Sequence, residues 1–544
     1  MDSNSVLLGL IGVELTRYEL VGSCRKPTLK PPQTVLENLP MDAWASEYPR
    51  RVRVAYFLLG ILSMLSFAPF GLYPLALILV IPLLLAFQRL APRPAAWIGF
   101  WYGAGLFLGG TYWLYVSIHV FGQAPLILAL SLMVALVLIM AVYYAAAGWL
   151  IARFRGDSKG GFALLAAGVW VLIEWLRGWF LTGFPWMTFG YSQIDSPLSG
   201  FAPIVGIYGV SFLLLLSAGA LVSALRASGR SRAVMVFYAS LPWIAGFALQ
   251  NIEWTEPSGD PVVTTIVQGG VSQDRKWLPE QFEPTLKLYR DSLSDENYNL
   301  TKSQLIIWPE VAIPSVIDRV DGYIEQLESD IATREQTLLF GILERDESQE
   351  HVYNSVVALG GDSRQIYRKR HLVPFGEFFP VPDFIREWMR LMNLPYSDIS
   401  PGEDVQPLLK MTDGNILSVA ICYEDAYATE QLYALPEASI LINVSNDAWF
   451  GDSIAPHQHL QIARMRALEV GRHVVRATNN GISAFIGPDG ELIKTGPQFE
   501  YVAMSHDVQP RNGQTPFARS GNWPVISVAC LILLGFGWRT RGRQ

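Results

Sequence analysis

Seven apolar runs before residue 252, and an eighth near the end of the chain, approach the roughly 20 residues that a helix needs to cross a bilayer. They occupy 54–70, 72–88, 95–118, 124–151, 161–181, 200–225, 233–250 and 523–538. The eighth is short, but Trp523 and Trp538 bracket it as interface residues do, and a basic tail follows. This pattern predicts a polytopic α-helical membrane protein with about eight transmembrane helices.

The loops predict an orientation. Arg50, Arg51 and Arg53 precede the first run, Arg89 and Arg93 follow the second, and Arg153, Arg155 and Lys159 follow the fourth. Arg226, Arg230 and Arg232 follow the sixth, and Arg539, Arg541 and Arg543 lie at the end of the chain. Loops 119–123 and 182–199 carry no Lys or Arg. Every second loop is basic, so the positive-inside rule puts both termini in the cytoplasm and 253–512 on the opposite face.

Composition agrees with a lipid environment. Charged residues make up 16% of the chain, against roughly 25% in soluble domains. A net charge of −7, with nothing basic clustered on one face, excludes a nucleic-acid partner. Cys24, Cys422 and Cys530 are too few and too scattered for a disulfide framework or a zinc site. No metal or organic cofactor is called for.

Four regions follow. Residues 1–49 fit neither membrane nor enzyme and are expected to be a disordered extension, or an upstream start preceding Met41. Residues 50–252 form the seven-helix region, and 513–544 the last helix with its basic tail. Between them, 253–512 holds most of the acidic residues and alternates strand-like runs (262–267, 304–308, 337–342, 416–422, 440–444) with helical ones (280–294, 321–333, 457–470). This segment reads as an inserted α/β domain with two layers of strands between helices.

Three motifs in this segment place a reactive side chain just past a strand-like run. Run 304–308 leads into Trp308-Pro309-Glu310, 365–368 delivers Lys369, and 416–421 leads into Cys422-Tyr423-Glu424-Asp425. A thiol is a weak nucleophile until a neighbouring base takes its proton. A lysine beside it favours the thiolate and can steady an oxyanion. Glu310, Lys369 and Cys422 supply base, cation and nucleophile. Singly, each reads as packing or as a solvated surface charge.

With their flanking strings, 369–377, 444–451, 465–469 and 477–481, these motifs resemble the nitrilase (carbon–nitrogen hydrolase) superfamily, and most closely its membrane-bound acyltransferase branch. The resemblance runs from about the first apolar run to the last. It implies an α-β-β-α sandwich with Glu310 as general base, Lys369 as oxyanion partner and Cys422 as nucleophile. Glu377, Tyr423, Glu424, Trp277, Asn354 and Trp449 match further supporting or substrate-binding positions. It also implies a reaction, in which Cys422 takes an acyl chain from a phospholipid and passes it to the N-terminal amine of a diacylglyceryl-cysteine apolipoprotein. The expected setting is a bacterial inner membrane, with the α/β domain on the periplasmic side and the protein a monomer.

Other features carry two readings. Glu174 and Arg177 sit one turn apart near the end of a run, as a structural pair or as a pair facing the site. The aromatic loop 183–187 either anchors at the interface or lines a lipid path. Segment 383–394 puts Phe384, Ile385, Trp388, Met389 and Met392 on one helical face, which either packs on the domain core or, as the favoured hypothesis, skims the membrane as a lid. His457 and His459 point apart and read as structural. Two rival functions remain: a membrane-tethered amidase using water, and a transporter with an accessory outer domain.

Overall fold

The computed structural model describes residues 49–155, 161–294, 300–346, 348, 351–361, 363–378 and 399–541. The 1–49 extension, apart from its last residue, and the lid segment 383–394 lie outside them.

Among the described residues, seven α-helices precede the strands: α1 (Pro49–Ser63), α2 (Pro74–Arg89), α3 (Pro92–Thr111), α4 (Leu126–Phe154), α5 (Gly161–Arg177), α6 (Ala202–Leu225) and α7 (Gly229–Leu249). Among the same residues, three stretches are long and apolar enough to cross a membrane: Leu126–Phe154, Pro197–Leu225 and Gly229–Leu249. Pro74–Arg89 and Trp523–Arg539 are shorter apolar helices. Ile127, Val142, Ile244 and Phe247 point outward from α4 and α7, where a water-facing helix would carry charge. The first and third helices stop earlier than their apolar runs. The chain leaves α1 through a 3₁₀ turn at Met64–Ser66, and α3 ends at Thr111, with a π-helical turn following at Val116–Phe121.

Small residues let these helices touch backbone to backbone. A Cβ on Gly60 would lie 2.0 Å from the Tyr102 carbonyl oxygen, and one on Gly105 within 1.9 Å of that of Phe57. Such close approach gives van der Waals contact where lipid supplies no hydrophobic drive.

The strands are β1 (Glu256–Pro257), β2 (Val262–Gln268), β3 (Leu305–Ile307), β4 (Thr337–Arg345), β5 (Val352–Leu359), β6 (Gln365–Arg368), β7 (Leu409–Lys410), β8 (Ile416–Ile421), β9 (Ile440–Ser445), β10 (Val474–Thr478), β11 (Ala484–Ile486), β12 (Leu492–Thr495), β13 (Val502–Val508) and β14 (Arg511–Asn512). They make two six-stranded sheets, ordered β13-β2-β3-β4-β5-β6 and β12-β11-β10-β9-β8-β7, while β1 pairs with β14. At the centre of each sheet three strands run parallel, β2-β3-β4 and β8-β9-β10.

Alternation along the strands packs the sheets. Leu305, Ile307, Val419, Ile421, Ile442 and Val444 share one core between the two sheets. Ile306 and Leu338 face α8 (Pro279–Ser292) and α9 (Asp321–Ala332) on one outer side. Leu441 and Val474 face α10 (Ala455–Val470) on the other. Burial on both faces is why these strands read as unbroken apolar runs. Gly471 closes α10 in the left-handed region, with φ 63°. The chain ends through α11 (Pro516–Ser520) and α12 (Trp523–Arg541).

Helix α10 also joins the sheets to the apolar helices. Gln458 Oε1 accepts from the indole nitrogens of Trp186 (2.8 Å) and Trp113 (3.2 Å), and Glu469 Oε1 accepts from the Ile207 backbone N–H at 2.6 Å.

Candidate active site

Each of the three reactive residues leaves a strand of the sheets. The ladder β3–β4 continues one residue as Trp308 N–H donates to Leu339 O (2.8 Å), and the chain then turns to present Glu310. Gly341 lies under that turn, where a Cβ would stand 2.6 Å from Pro309 O and 2.3 Å from Val311 N. Only glycine fits there. Val311 itself is held at φ 45°, an outlier for a β-branched residue. Lys369 follows β6, its backbone N–H bonded to Asn354 O of β5 at 2.8 Å. Cys422 follows β8 at φ 53°. The parallel register pairs Ile421 with Val444, so Cys422 emerges beside the end of β9.

These turns bring the trio together. Lys369 Nζ lies 3.5 Å from Glu310 Oε1 and 2.9 Å from the Glu377 carboxylate, with the lysine side chain only 1% exposed. Asn354 Nδ2 donates to both carboxylates, 2.8 Å to Glu310 and 3.0 Å to Glu377. The backbone N–H of Asn446 donates to Glu310 Oε2 at 2.7 Å, and that of Val373 to Glu377 Oε2 at 2.8 Å. Glu377 and Asn354 thus form one buried polar cluster with Glu310 and Lys369.

Electrostatics decide the protonation states. Burial opposes charge on Lys369, but Glu377, Glu310 and Cys422 outweigh it and hold the ammonium above the usual lysine range. Burial pushes the Cys422 thiol well up, Glu310 adds to this, and Lys369 offsets only part. The lysine pulls toward the thiolate as expected, but desolvation outweighs it, and the thiol rests protonated. Glu310 is the carboxylate whose charge the thiol feels most.

Glu424 acts at one remove. Fully buried, its carboxylate accepts from the backbone N–H groups of Ile421 (2.6 Å), Arg370 (2.6 Å) and His371 (3.2 Å), and from the Tyr367 hydroxyl. It ties the residue before Cys422 to the residues after Lys369. Tyr423 faces the apolar helices, its ring stacked on Trp186 with centroids 6.2 Å apart and its hydroxyl donating to Gly183 O at 3.3 Å. The aromatic loop therefore packs on the turn carrying Cys422, while the residues left exposed are Trp179, Phe180 and Leu181 just before it. Arg177 donates to Trp186 O (2.6 Å) and Thr188 Oγ1 (3.1 Å), and Glu174 accepts from Phe189 N–H (2.9 Å). Both charges hold this loop, which settles Glu174 and Arg177 as supports for the wall of the site.

Trp277 and Trp449 stand apart from the trio. They are 52% and 41% exposed. The neighbour of Trp277 reaches inward instead: buried Lys276 donates from Nζ to Glu310 O at 3.2 Å. Sequence reading missed Lys276, and the only signal was its place beside Trp277. Among the described residues, no three His, Cys, Asp or Glu side chains are grouped to hold a metal ion.

Paired sheets with buried Glu310 and Lys369 and half-buried Cys422 at their strand ends define an enzyme of the carbon–nitrogen hydrolase class, and the "Carbon-nitrogen hydrolase" family profile matches residues 265–515. A second profile, "Apolipoprotein N-acyltransferase N-terminal domain", matches residues 59–220. The apolipoprotein N-acyltransferase of Pseudomonas putida is 40% identical over 484 residues, covering 88% of this chain and 94% of that protein. The Nitrosomonas europaea enzyme of that name is 40% identical over 88% of this chain and 96% of its own length. The Azotobacter vinelandii one is 41% identical over 89% and 94%. The chain belongs to the apolipoprotein N-acyltransferase family, and it is an acyltransferase.

Proposed function

We propose that this enzyme moves an acyl chain from a membrane phospholipid, through a thioester on Cys422, to the N-terminal amine of a diacylglyceryl-cysteine apolipoprotein. The observation that carries this reading is the placement of the protonated Cys422 thiol. It lies between the Glu310–Lys369 cluster and, through Tyr423 on Trp186, the loop joining the apolar helices.

Cys422 Sγ attacks the ester carbonyl while Glu310 takes the thiol proton. Lys369 steadies the tetrahedral oxyanion. The intermediate collapses, the ester C–O bond breaks, and the lysophospholipid alkoxide leaves with the proton from Glu310. The neutral α-amine of the acceptor then attacks the thioester and gives its proton to Glu310. The C–S bond breaks, the amide forms, and the proton returns to the Cys422 sulfur. Glu377 and Asn354 hold Lys369 and Glu310 in register, and Tyr423 and Glu424 hold the Cys422 turn. Exposed Trp277 and Trp449 are available to the lipid substrates at the rim.

Helices α1–α7 and α12 form in this reading an eight-span frame for residues 50–252 and 513–544. Residues 253–512 form an α-β-β-α sandwich on the periplasmic face of the inner membrane. The protein works as a monomer. Both substrates are borne by lipid, which gives the frame its purpose.

Incubation with phospholipid labelled in its acyl chain and a diacylglyceryl lipopeptide tests the reading. Label in the lipopeptide amide supports it. Label only in free fatty acid would instead make the protein a hydrolase that uses water.

A further inference from the structure

A second buried polar cluster lies beside Cys422, and the reaction above makes no use of it. It joins four elements: Asp425 from the turn after β8, Asp447 just past β9, Arg476 on β10 and His459 on α10. All four side chains are almost completely excluded from solvent. His459 Nδ1 lies 2.9 Å from Asp447 Oδ1, and Nε2 lies 2.8 Å from Asp425 Oδ1. Ionised carboxylate oxygens only accept, so both ring nitrogens must carry protons. Arg476 closes the square, 2.8 Å from Asp447 and 3.3 Å from Asp425, with Asn443 as a further acceptor. Two cations balance two anions. The Trp186 ring, 5.7 Å from the imidazole, is what the apolar helices present to it. Burial and Arg476 oppose the charge on His459, but Asp425 and Asp447 outweigh them and raise its pKa to about 9.

Two contacts link this square to the nucleophile. His459 Nε2 is 3.2 Å from the carbonyl oxygen of Cys422. The Ser445 hydroxyl, on the last residue of β9 beside which Cys422 emerges, donates to Asp447 Oδ1 at 2.8 Å. Cys422 needs such fixing, because at φ 53° its Cβ crowds the following peptide, a conformation an L-residue keeps only when its surroundings enforce it.

We propose that His459 is a positioning residue for Cys422: an imidazolium whose Nε2–H, shared between Asp425 and the Cys422 carbonyl, holds the turn that aims the thiol. This adds a regulation-like constraint on the nucleophile proposed above and rests on that assignment. The consequence is a thiol whose aim depends on a charge buried beside it, with Asp425, Asp447 and Arg476 as the ionisable groups that set that charge.

The test uses the full-length protein in detergent and compares wild type with His459→Gln. Two readouts are needed: iodoacetamide labelling of Cys422 followed by peptide mass spectrometry at pH 8, and acyl transfer from phosphatidylethanolamine. A glutamine can face only one of the two carboxylates with a donor, so it breaks the square without emptying it. The expected result is at least tenfold slower labelling and a kcat at least tenfold lower, with the KM for phospholipid within twofold of wild type. Wild-type labelling rate and kcat in the variant would overturn the proposal. Labelling needs no lipid, so the outcome is read even if phospholipid proves not to be the donor. If His459→Gln does not fold, ¹⁵N-histidine spectra of the wild type at pH 8 decide: a doubly protonated His459 ring supports the proposal, and a neutral one overturns it.

Discussion

Lys369 and Glu377 form a buried ion pair at 2.9 Å, shorter than the 3.5 Å between Lys369 and Glu310. Glu377 therefore holds the ammonium more tightly than Glu310 does, which in the proposed reaction weakens the lysine's hold on the base. Glu377→Gln removes that counter-charge, so Lys369 settles onto Glu310 and stabilises its ionised form. The expected loss in kcat is about 10- to 100-fold, the range of a weakened general base, with KM little changed. Steady-state kinetics with a fixed lipopeptide acceptor measure it. A change in KM alone would mean that Glu377 binds substrate instead.

Lys276 gives a prediction about pH and stability. Burial lowers its pKa from 10.5 to about 8, against an opposing pull from Glu310. A depressed lysine binds its proton more weakly when folded than when unfolded. Charge on Lys276 thus costs stability in full below pH 8, and the cost fades as pH rises to 10.5. Lys276→Met removes that cost but leaves Glu310 O without its donor, for a net gain on the order of 2 kcal/mol at pH 7. Thermal unfolding at pH 7 and pH 10 should show the variant's advantage shrinking with pH. An advantage independent of pH would contradict a buried, charged Lys276.

Glu424 touches backbone rather than reacting atoms. Glu424→Gln turns a pure acceptor into a group with one acceptor and one donor end, and so leaves at least one of the Ile421, Arg370 or His371 N–H groups facing a donor. The expected cost is about 2 kcal/mol in stability for that buried mismatch. A drop in kcat should accompany it, because Lys369 and Cys422 lose their common tether. Denaturant unfolding and single-turnover acylation check the two together. Lost activity with unchanged stability would show that Glu424 acts on substrate directly.

Much of this site was legible in the sequence for a physical reason. Parallel strands buried on both faces write themselves as unbroken apolar runs, so β3, β8 and β9 stood out, with Glu310 just past β3 and Cys422 just past β8 as exceptions to the run. What stayed hidden depends on long-range closure. Lys276 reads as a surface charge until folding brings it to Glu310, 34 positions away. His459 was read as structural, beside His457 at a helix start, because its partners come from a turn and two strands that only the sheets bring together. At Cys422 the sequence shows the neighbouring lysine that favours the thiolate but not the desolvation that outweighs it. Helices α1 and α3 fall short of their apolar runs because 3₁₀ and π-helical turns, invisible to hydropathy, take over the ends.

The most direct test of the account is intact-protein and peptide mass spectrometry after exposure to a phospholipid of defined acyl chains, with no acceptor present. The account predicts one acyl chain in thioester linkage on Cys422, an equal amount of lysophospholipid released, and loss of the adduct when a diacylglyceryl lipopeptide is added. An unmodified Cys422 in a preparation that still acylates the lipopeptide, or an acyl adduct on another residue, would contradict it.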